Sequence, residues 1–298
     1  MDRNSTIGIT GATGFIGQAL ARRLTERCRP MRLFGRRQST TSSGQLIEPL
    51  NSSPESLEGI DVLVHLAGIA SSDRPESEIR RANIDLALDV ARTAIAANVR
   101  RFIFFSSLHV HGKAAGSAIT PQTPFEPQNS YARSKAEAER QLKDECAGRI
   151  ELVIVRPPMI YGRGGKGSFQ ALLKLVKTGL PLPFGAATAK RSFCSISNLV
   201  LATEAVIDHP TPPAVFIPAD AEDLSTRDLC LAMRTSLGSK SLLVPVPAWA
   251  MLPMLRATGR AEMGQSLFEP LIIDRTHWAT WGWRPDQRTV DSIQSEIR

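Results

Sequence analysis

A chain of 298 residues with 42% hydrophobic and 22% charged residues can bury a sizeable core, in one large domain or in a domain plus a smaller one. Its net charge of +7 is dispersed over small clusters (Arg22-Arg23, Arg36-Arg37, Arg80-Arg81, Arg100-Arg101), and with only 6% aromatic residues this argues against a nucleic-acid-binding face. There is no apolar run of about 18 residues for membrane insertion, and Cys28, Cys146, Cys194 and Cys230 are spaced for neither a disulfide framework nor zinc, which points to a reducing, cytoplasmic compartment.

The chain enters a strand pattern directly after Asp2 and Arg3, so its start does not read as a signal peptide. Strands are expected at Thr6–Thr10, Met31–Phe34, Val62–Ala67, Arg101–Ser107 and Glu151–Arg156. Helices are expected between them, at Phe15–Glu26, Glu76–Asn98 and Tyr131–Glu145, and the Ser- and Thr-rich stretch from Ser39 to Ser56 reads as a loop. Near-continuous apolar strands alternating with helices predict an α/β fold, a doubly wound parallel sheet of Rossmann type covered on both faces. His109 and His111 alternate as on a strand, but no further ligand lies at metal-binding spacing, so no metal site is expected.

From about Ile160 prolines become frequent and strands isolated, at Ala214–Pro218 and Leu242–Val246. Helices are expected at Ser168–Thr178, Ser197–Asp208, Ser225–Leu237 and Thr289–Ile297. The expected division is residues 1–160 as a dinucleotide-binding domain and residues 161–298 as a smaller C-terminal substrate-binding lobe, with some segments returning to the sheet. Leu242 to Leu255 is the most apolar late stretch, but Pro245, Pro247 and Pro253 interrupt it.

Gly11, Gly14 and Gly17 follow the first strand and open the first helix. A dinucleotide turn needs this arrangement: one glycine for the tight turn, one for close approach to the pyrophosphate, one for helix–strand packing. Backbone amides at the helix start then face the anion. A glycine-rich turn without a ligand is the alternative.

The spacing in TGATGFIG resembles the extended branch of the short-chain dehydrogenase/reductase superfamily, the NAD-dependent epimerase/dehydratase family. Further segments carry the same resemblance: Asp61-Val62 before His65-Leu66-Ala67-Gly68, Asn83, Ser106-Ser107-Leu108-His109-Val110-His111-Gly112, Tyr131-Ala132-Arg133-Ser134-Lys135, and Arg156-Pro157-Pro158-Met159-Ile160-Tyr161-Gly162. The resemblance implies cofactor contacts from Gly11, Thr13, Gly14, Phe15, Ile16, Gly17, Asp61 and Val62 (the adenine), Leu66, Ala67, Gly68, Asn83, Ser106, Tyr131, Lys135 and Pro158. It implies a catalytic Ser107, Tyr131 and Lys135. His111 departs from the family's tyrosine and is assigned either to the substrate or to packing. Family members often dimerise through the two long helices, so a homodimer is expected.

NAD-preferring members carry an acid at the end of the second strand; here Gly35 stands in that place, followed by Arg36 and Arg37, and the next acid is Glu48. Two guanidiniums suit a ribose 2′-phosphate. NADP is therefore the expected cofactor, with NAD as the alternative.

Tyr131 and Lys135 are four apart in a helix and share a face. A free tyrosine has a pKa of about 10, so acid–base work near neutrality needs a shift of about three units, roughly 4 kcal/mol, for which a nearby ammonium is suited. Within the family the chain resembles bacterial nucleotide-sugar 4-epimerases and 4-keto reductases, on Arg156–Phe169, Gly179–Gly185 and Lys190–Val200. That resemblance implies a UDP-sugar substrate gripped by Arg191, with Lys166, Arg163 and Ser168 near the diphosphate. It implies C4 reduction of a UDP-4-keto-6-deoxy-N-acetylhexosamine for lipopolysaccharide or other surface polysaccharide. A UDP-hexose 4-epimerase and a non-catalytic NADP-binding member are the alternatives.

Overall fold

The computed structural model describes residues 5–41, 43–112, 117–165, 167–258, 261–286 and 288–297. In chain order its elements are β1 (Ile7–Thr10), α1 (Phe15–Glu26), β2 (Met31–Gly35), β3 (Ser39–Thr40), β4 (Leu46–Pro49), β5 (Val62–His65), α2 (Glu76–Arg80), α3 (Leu86–Ala96), β6 (Arg101–Phe105), α4 (Ser130–Cys146) and β7 (Glu151–Val155). There follow β8 (Met159–Tyr161), α5 (Ser168–Lys177), β9 (Lys190–Arg191), β10 (Phe193–Ser195), α6 (Ile196–Asp208), β11 (Val215–Phe216), β12 (Leu224–Ser225), α7 (Thr226–Leu237), α8 (Ala248–Ala257), α9 (Ala261–Phe268), α10 (Thr276–Ala279) and α11 (Thr289–Ile297). Two compact units result. The first takes Met1–Gly112, Thr123–Pro157 and Val200–Pro218; the second takes Lys113–Gln122, Pro158–Leu199 and Ala219–Arg298.

Among the described residues of the first unit, eight strands form one sheet in the order β11-β7-β6-β5-β1-β2-β4-β3. All neighbours are parallel except β3 against β4. This is the doubly wound order, and it reverses between β1 and β5, where such sheets bind ligands at their carboxyl ends. β1, β5 and β6 are buried along their whole length, as strands covered on both faces must be. α1 turns Gly17, Leu20, Ala21 and Leu24 inward, an i, i+3, i+4, i+7 stripe. α3 and α4 cover the sheet with small residues, Ala87, Ala91, Ala94 and Ala138, packed in one cluster with Phe102, Phe104 and Ile154.

The second unit buries its own core around Tyr161, Phe169, Val176, Phe193, Cys230, Met233 and Ile293. Its pairings are short: β8 with β10, parallel, and β9 with β12, antiparallel. A buried Asp220 ties it together, accepting from Tyr161 Oη at 2.5 Å, Ser195 N at 2.9 Å and Asn198 Nδ2 at 2.7 Å. Burial raises this carboxyl's pKa, and the donors around it oppose the rise.

Several expectations are corrected. The stretch from Ser39 to Ser56 is not simply a loop, because β4 lies within it and extends the parallel sheet. The expected helix Glu76–Asn98 is interrupted by a π turn at Arg81–Asp85. The extra residue in that turn places Asn83 against the backbone of Ile69, which it meets through both its amide oxygen and its amide nitrogen. Leu242–Val246 is not a regular strand; only the bridge Leu182↔Leu243 forms there. Arg101, from one of the basic clusters, is fully buried, and its Nη1 donates to the carbonyls of Val206 (2.5 Å) and Ile207 (3.0 Å) at the end of α6.

Gly17 gives a first test of this packing. A Cβ there would lie 2.4 Å from the Gly11 carbonyl oxygen and 2.8 Å from Ala12 Cα, both backbone atoms that cannot rotate away. Gly17→Ala is expected to destabilise by about 1–3 kcal/mol, the usual scale of overpacking, read as a lower urea midpoint.

Candidate functional site

The carboxyl ends of β1 and β5 meet tightly. Gly11 has φ +71°, and a Cβ on it would lie 2.7 Å from Ala67 N and 2.8 Å from Leu66 C. Only glycine allows both that conformation and that approach. Gly14 differs: a Cβ there would meet only the Gly11 carbonyl, at 3.2 Å, so its outer face is open. It is the N-cap of α1 and offers no side-chain cap, which leaves the first helical amides of Phe15, Ile16 and Gly17 for an anion. Thr13 is exposed beside them, and its carbonyl accepts from Gln18 Nε2 at 2.8 Å.

Thr10 joins the two strand ends. Its Oγ1 lies 2.9 Å from His65 Nδ1 and accepts from Ala67 N at 3.3 Å. His65 is buried between Phe102 and Phe104, and burial, with Lys135 nearby, drives its pKa down to about 3, so its ring is neutral. Gly68 follows, and a Cβ on it would stand 2.7 Å from Asn83 Oδ1 and 3.6 Å from Lys135 Nζ. Asn83 Nδ2 also donates to Ser134 Oγ at 2.9 Å, and Ser134 Oγ donates to the Tyr131 carbonyl at 2.8 Å. The π turn thus fastens to the first turn of α4.

α4 begins under an Asn129 cap, with Asn129 Oδ1 accepting from Ala132 N. Tyr131 and Lys135 lie one turn apart near its start. Ser107 lies near the Tyr131 phenol and accepts from His109 N at 3.3 Å. Burial pushes the phenol's pKa up, and the nearby Ser107 hydroxyl works against that rise. Lys135 Nζ donates to the Phe105 carbonyl at 2.8 Å and lies 4.6 Å from the centre of the Phe104 ring. Burial brings its pKa down to about 8, against the pull of Glu139. Ser107 thus follows the end of β6, whose Phe105 carbonyl holds Lys135, and Tyr131 stands one turn before Lys135 on α4. Ser106 lies beside Ser107 with its Oγ buried and without a partner among the described residues.

At the end of β2, Gly35 packs against β4: a Cβ there would lie 2.9 Å from Ile47 Cγ2. Arg36 and Arg37 are exposed. Glu48 is committed elsewhere, in a forked ion pair with Arg32 at 2.6 and 3.0 Å. These groups fit a nicotinamide dinucleotide: an open glycine cradle at a bare helix start, an unpaired buried hydroxyl at Ser106, and a basic edge at Arg36 and Arg37.

One expectation for this unit fails, and of the two readings of His111 the structure carries packing. Asp61 and Val62 stand at the wrong end of β5. Val62 pairs with Ile7, and Asp61 Oδ2 accepts from Thr6 N at 2.7 Å, so both lie at the amino edge of the sheet, a strand's length from the glycine turn. His111 is not a substrate contact, because it is completely buried with both ring nitrogens engaged. Nε2 lies 3.1 Å from Arg156 Nη1 and Nδ1 lies 3.2 Å from the Pro124 carbonyl. A guanidinium only donates, so Nε2 accepts and Nδ1 carries the proton. Burial and Arg156 both lower the ring's pKa. Arg156 itself forks onto Glu139 of α4, at 2.9 Å from Nε and 2.6 Å from Nη2. Sequence reasoning missed this network. Its one local signal was Glu139, four residues beyond Lys135 on the same helix face.

In the second unit, Arg191 Nη1 donates to the Glu269 carbonyl at 2.9 Å, and burial lowers the guanidinium's pKa. Ser168 is exposed at the first turn of α5, Arg163 is exposed, and Pro158 is buried. Lys166 lies outside the described residues.

Residues 7–217 match the sequence pattern of the NAD dependent epimerase/dehydratase family. The chain is 34% identical to the UDP-glucose 4-epimerase of Vibrio cholerae, over 97% of this chain and 93% of that protein. It superposes on the UDP-glucose 4-epimerase of Thermotoga maritima, solved with UDP-glucose, with a TM-score of 0.79 at 18% identity, covering 98% of this chain and 97% of that one. The UDP-glucuronic acid 4-epimerase of Bacillus cereus, in complex with NAD, gives 0.78 at 20% identity, with 98% and 97% covered. At these identities the two superpositions show the fold alone.

Proposed function

The chain belongs to the NAD dependent epimerase/dehydratase family, and from that membership we propose that it reduces C4 of a UDP-4-keto-6-deoxy-N-acetylhexosamine with NADPH. It is an enzyme of the family's nicotinamide-dependent type. The observation that carries the finer reading is the end of β2. Gly35 stands where the acid that would bond two ribose hydroxyls is expected, Glu48 is held by Arg32, and Arg36 and Arg37 face solvent. Such an edge favours a 2′-phosphate over a free 2′-hydroxyl.

A nicotinamide dinucleotide held at the glycine turn would supply the hydride. The chain's own residues manage the proton. Ser107 hydrogen-bonds the oxygen on C4 and Tyr131 gives that oxygen its proton. Lys135, held by the Phe105 carbonyl, favours the phenolate that remains. Arg191, with Arg163 and Ser168, is assigned to the UDP diphosphate.

A second reading, a UDP-hexose 4-epimerase, has the Vibrio cholerae relative in its favour. One assay separates the two. Stoichiometric loss of NADPH absorbance with the 4-keto sugar, generated in place by a dehydratase, supports reduction. Interconversion of UDP-glucose and UDP-galactose without net cofactor use, and no NADPH loss, overturns it. In the same assay Arg36→Ala with Arg37→Ala is expected to lower kcat/KM for NADPH by about 10- to 100-fold, the scale of one or two charge-assisted contacts, and to leave kcat/KM for NADH unchanged.

A further inference from the structure

The second unit carries an apolar face that its core does not use. Leu182 N donates to the Leu242 carbonyl and Val244 N to the Leu182 carbonyl, both at 2.8 Å, and Gly185 N donates to the Val244 carbonyl at 3.0 Å. Alternate side chains of such an extended ribbon take opposite sides. Leu182 is buried and Leu243 packs on the core, so Leu242 and Val244 turn outward, at 59% and 44% exposure; Leu180, which precedes the paired stretch, is 63% exposed. At Pro247 the ribbon leads into α8. There Met251 and Leu255 face the core, while the outward arc holds Trp249 (78% exposed), Pro253 and Met254 (62%). A water-facing helix normally puts polar residues on that arc.

The charge of these segments is one-sided. Residues 152–203 and 229–261 contain no Asp or Glu, and together they carry the whole apolar face. Lys177, Lys240 and Arg256 are exposed among the described residues. Ser239 Oγ donates to the Val176 carbonyl at 2.5 Å, which brings the Lys240 turn against the end of α5 that carries Lys177. Exposed leucines and a tryptophan on segments whose only charged residues are lysine and arginine match the boundary between acyl chains and anionic headgroups. A second copy of the same face would meet it with like charge, which disfavours self-association. No helix among the described residues is long and apolar enough to cross a membrane, so the contact would be peripheral.

We propose that this face, Leu180, Leu242, Val244, Trp249 and Met254 flanked by Lys177, Lys240 and Arg256, docks on an anionic lipid bilayer. The full-length chain should sediment with phosphatidylcholine vesicles that contain phosphatidylglycerol, not with pure phosphatidylcholine, and added salt should weaken the binding. Lys177→Gln with Lys240→Gln should lower partitioning about 25-fold, about fivefold per charge. Trp249→Ser should lower it about tenfold. Vesicles should shift the tryptophan emission of the native chain to the blue, and not that of Trp249→Phe. Arg22→Gln, on α1 of the first unit, should leave partitioning unchanged.

Failure to bind the anionic vesicles overturns the proposal, whatever the sugar substrate proves to be. So does an equal loss from Arg22→Gln, which would mean diffuse attraction by net charge. So does equally tight binding to soluble polyglutamate, or a dimer that Trp249→Ser dissociates in the absence of lipid.

Discussion

Tyr131→Phe is expected to lower kcat by about 10²- to 10⁴-fold, the usual contribution of a positioned general acid or base, with little change in the urea midpoint. Phenylalanine keeps the ring and removes only the hydroxyl near Ser107. Cofactor binding, followed by quenching of tryptophan fluorescence, should survive. A variant that keeps native turnover would remove Tyr131 from the chemistry.

The same pair sets a pH dependence. Lys135 is brought down to about 8 by burial, from an ordinary value of 10.5, with Glu139 pulling the other way. Reduction needs a protonated Tyr131 and a charged Lys135, so kcat/KM for the 4-keto sugar should fall as pH rises through about 8. Burial raises the Tyr131 phenol, so the lysine loses its proton first. In Lys135→Met the fall near 8 should disappear, on a lower activity throughout. Stability moves the other way. Between about 8 and 10.5 the unfolded chain holds the lysine proton and the folded chain does not, so folding becomes more favourable with rising pH across that window, by up to about 3 kcal/mol.

Parts of this site are written in single residues. Gly11, Gly14 and Gly17 each answer a separate steric demand, and Tyr131 and Lys135 share a helix face at a fixed spacing, so both groups can be read before any fold is known. Asp61 shows where such reading fails. Its letters suit the adenine contact, but a residue's usefulness depends on which end of a strand it caps, and Asp61 caps the amino end of β5. The π turn at Arg81–Asp85 adds one residue to a helical winding and leaves no residue-type signature. β4 is short and lies in a polar stretch, and only its neighbour β2 makes it a strand. His111 and Arg101 acquire their partners across 45 and about 105 residues of chain, distances at which neither periodicity nor spacing speaks.

The network that contains His111 carries the largest stability prediction. Glu139 and Arg156 are almost wholly buried, with side-chain exposures of 0% and 2%. Arg156→Met leaves the Glu139 carboxylate without its fork and the His111 Nε2 lone pair without a donor. Stranding one member of a buried pair costs about 3–5 kcal/mol, which for a unit of this size lowers Tm by on the order of 10 °C. Glu139→Leu alone should cost a similar amount, since it strands the guanidinium. The double variant, Arg156→Met with Glu139→Leu, buries no unpaired charge and should recover most of the loss, because apolar replacements of a buried pair are often close to neutral. The coupling, read from urea unfolding of the two single variants and the double, should therefore be large and favourable. Glu139 lies one turn beyond Lys135 on α4, and His111 lies four residues beyond Ser107, so the pair joins the helix that carries Tyr131 to the turn that carries the serine. Single-variant losses that simply add in the double would mean that the pair is not coupled and that α4 is held in place by apolar packing alone.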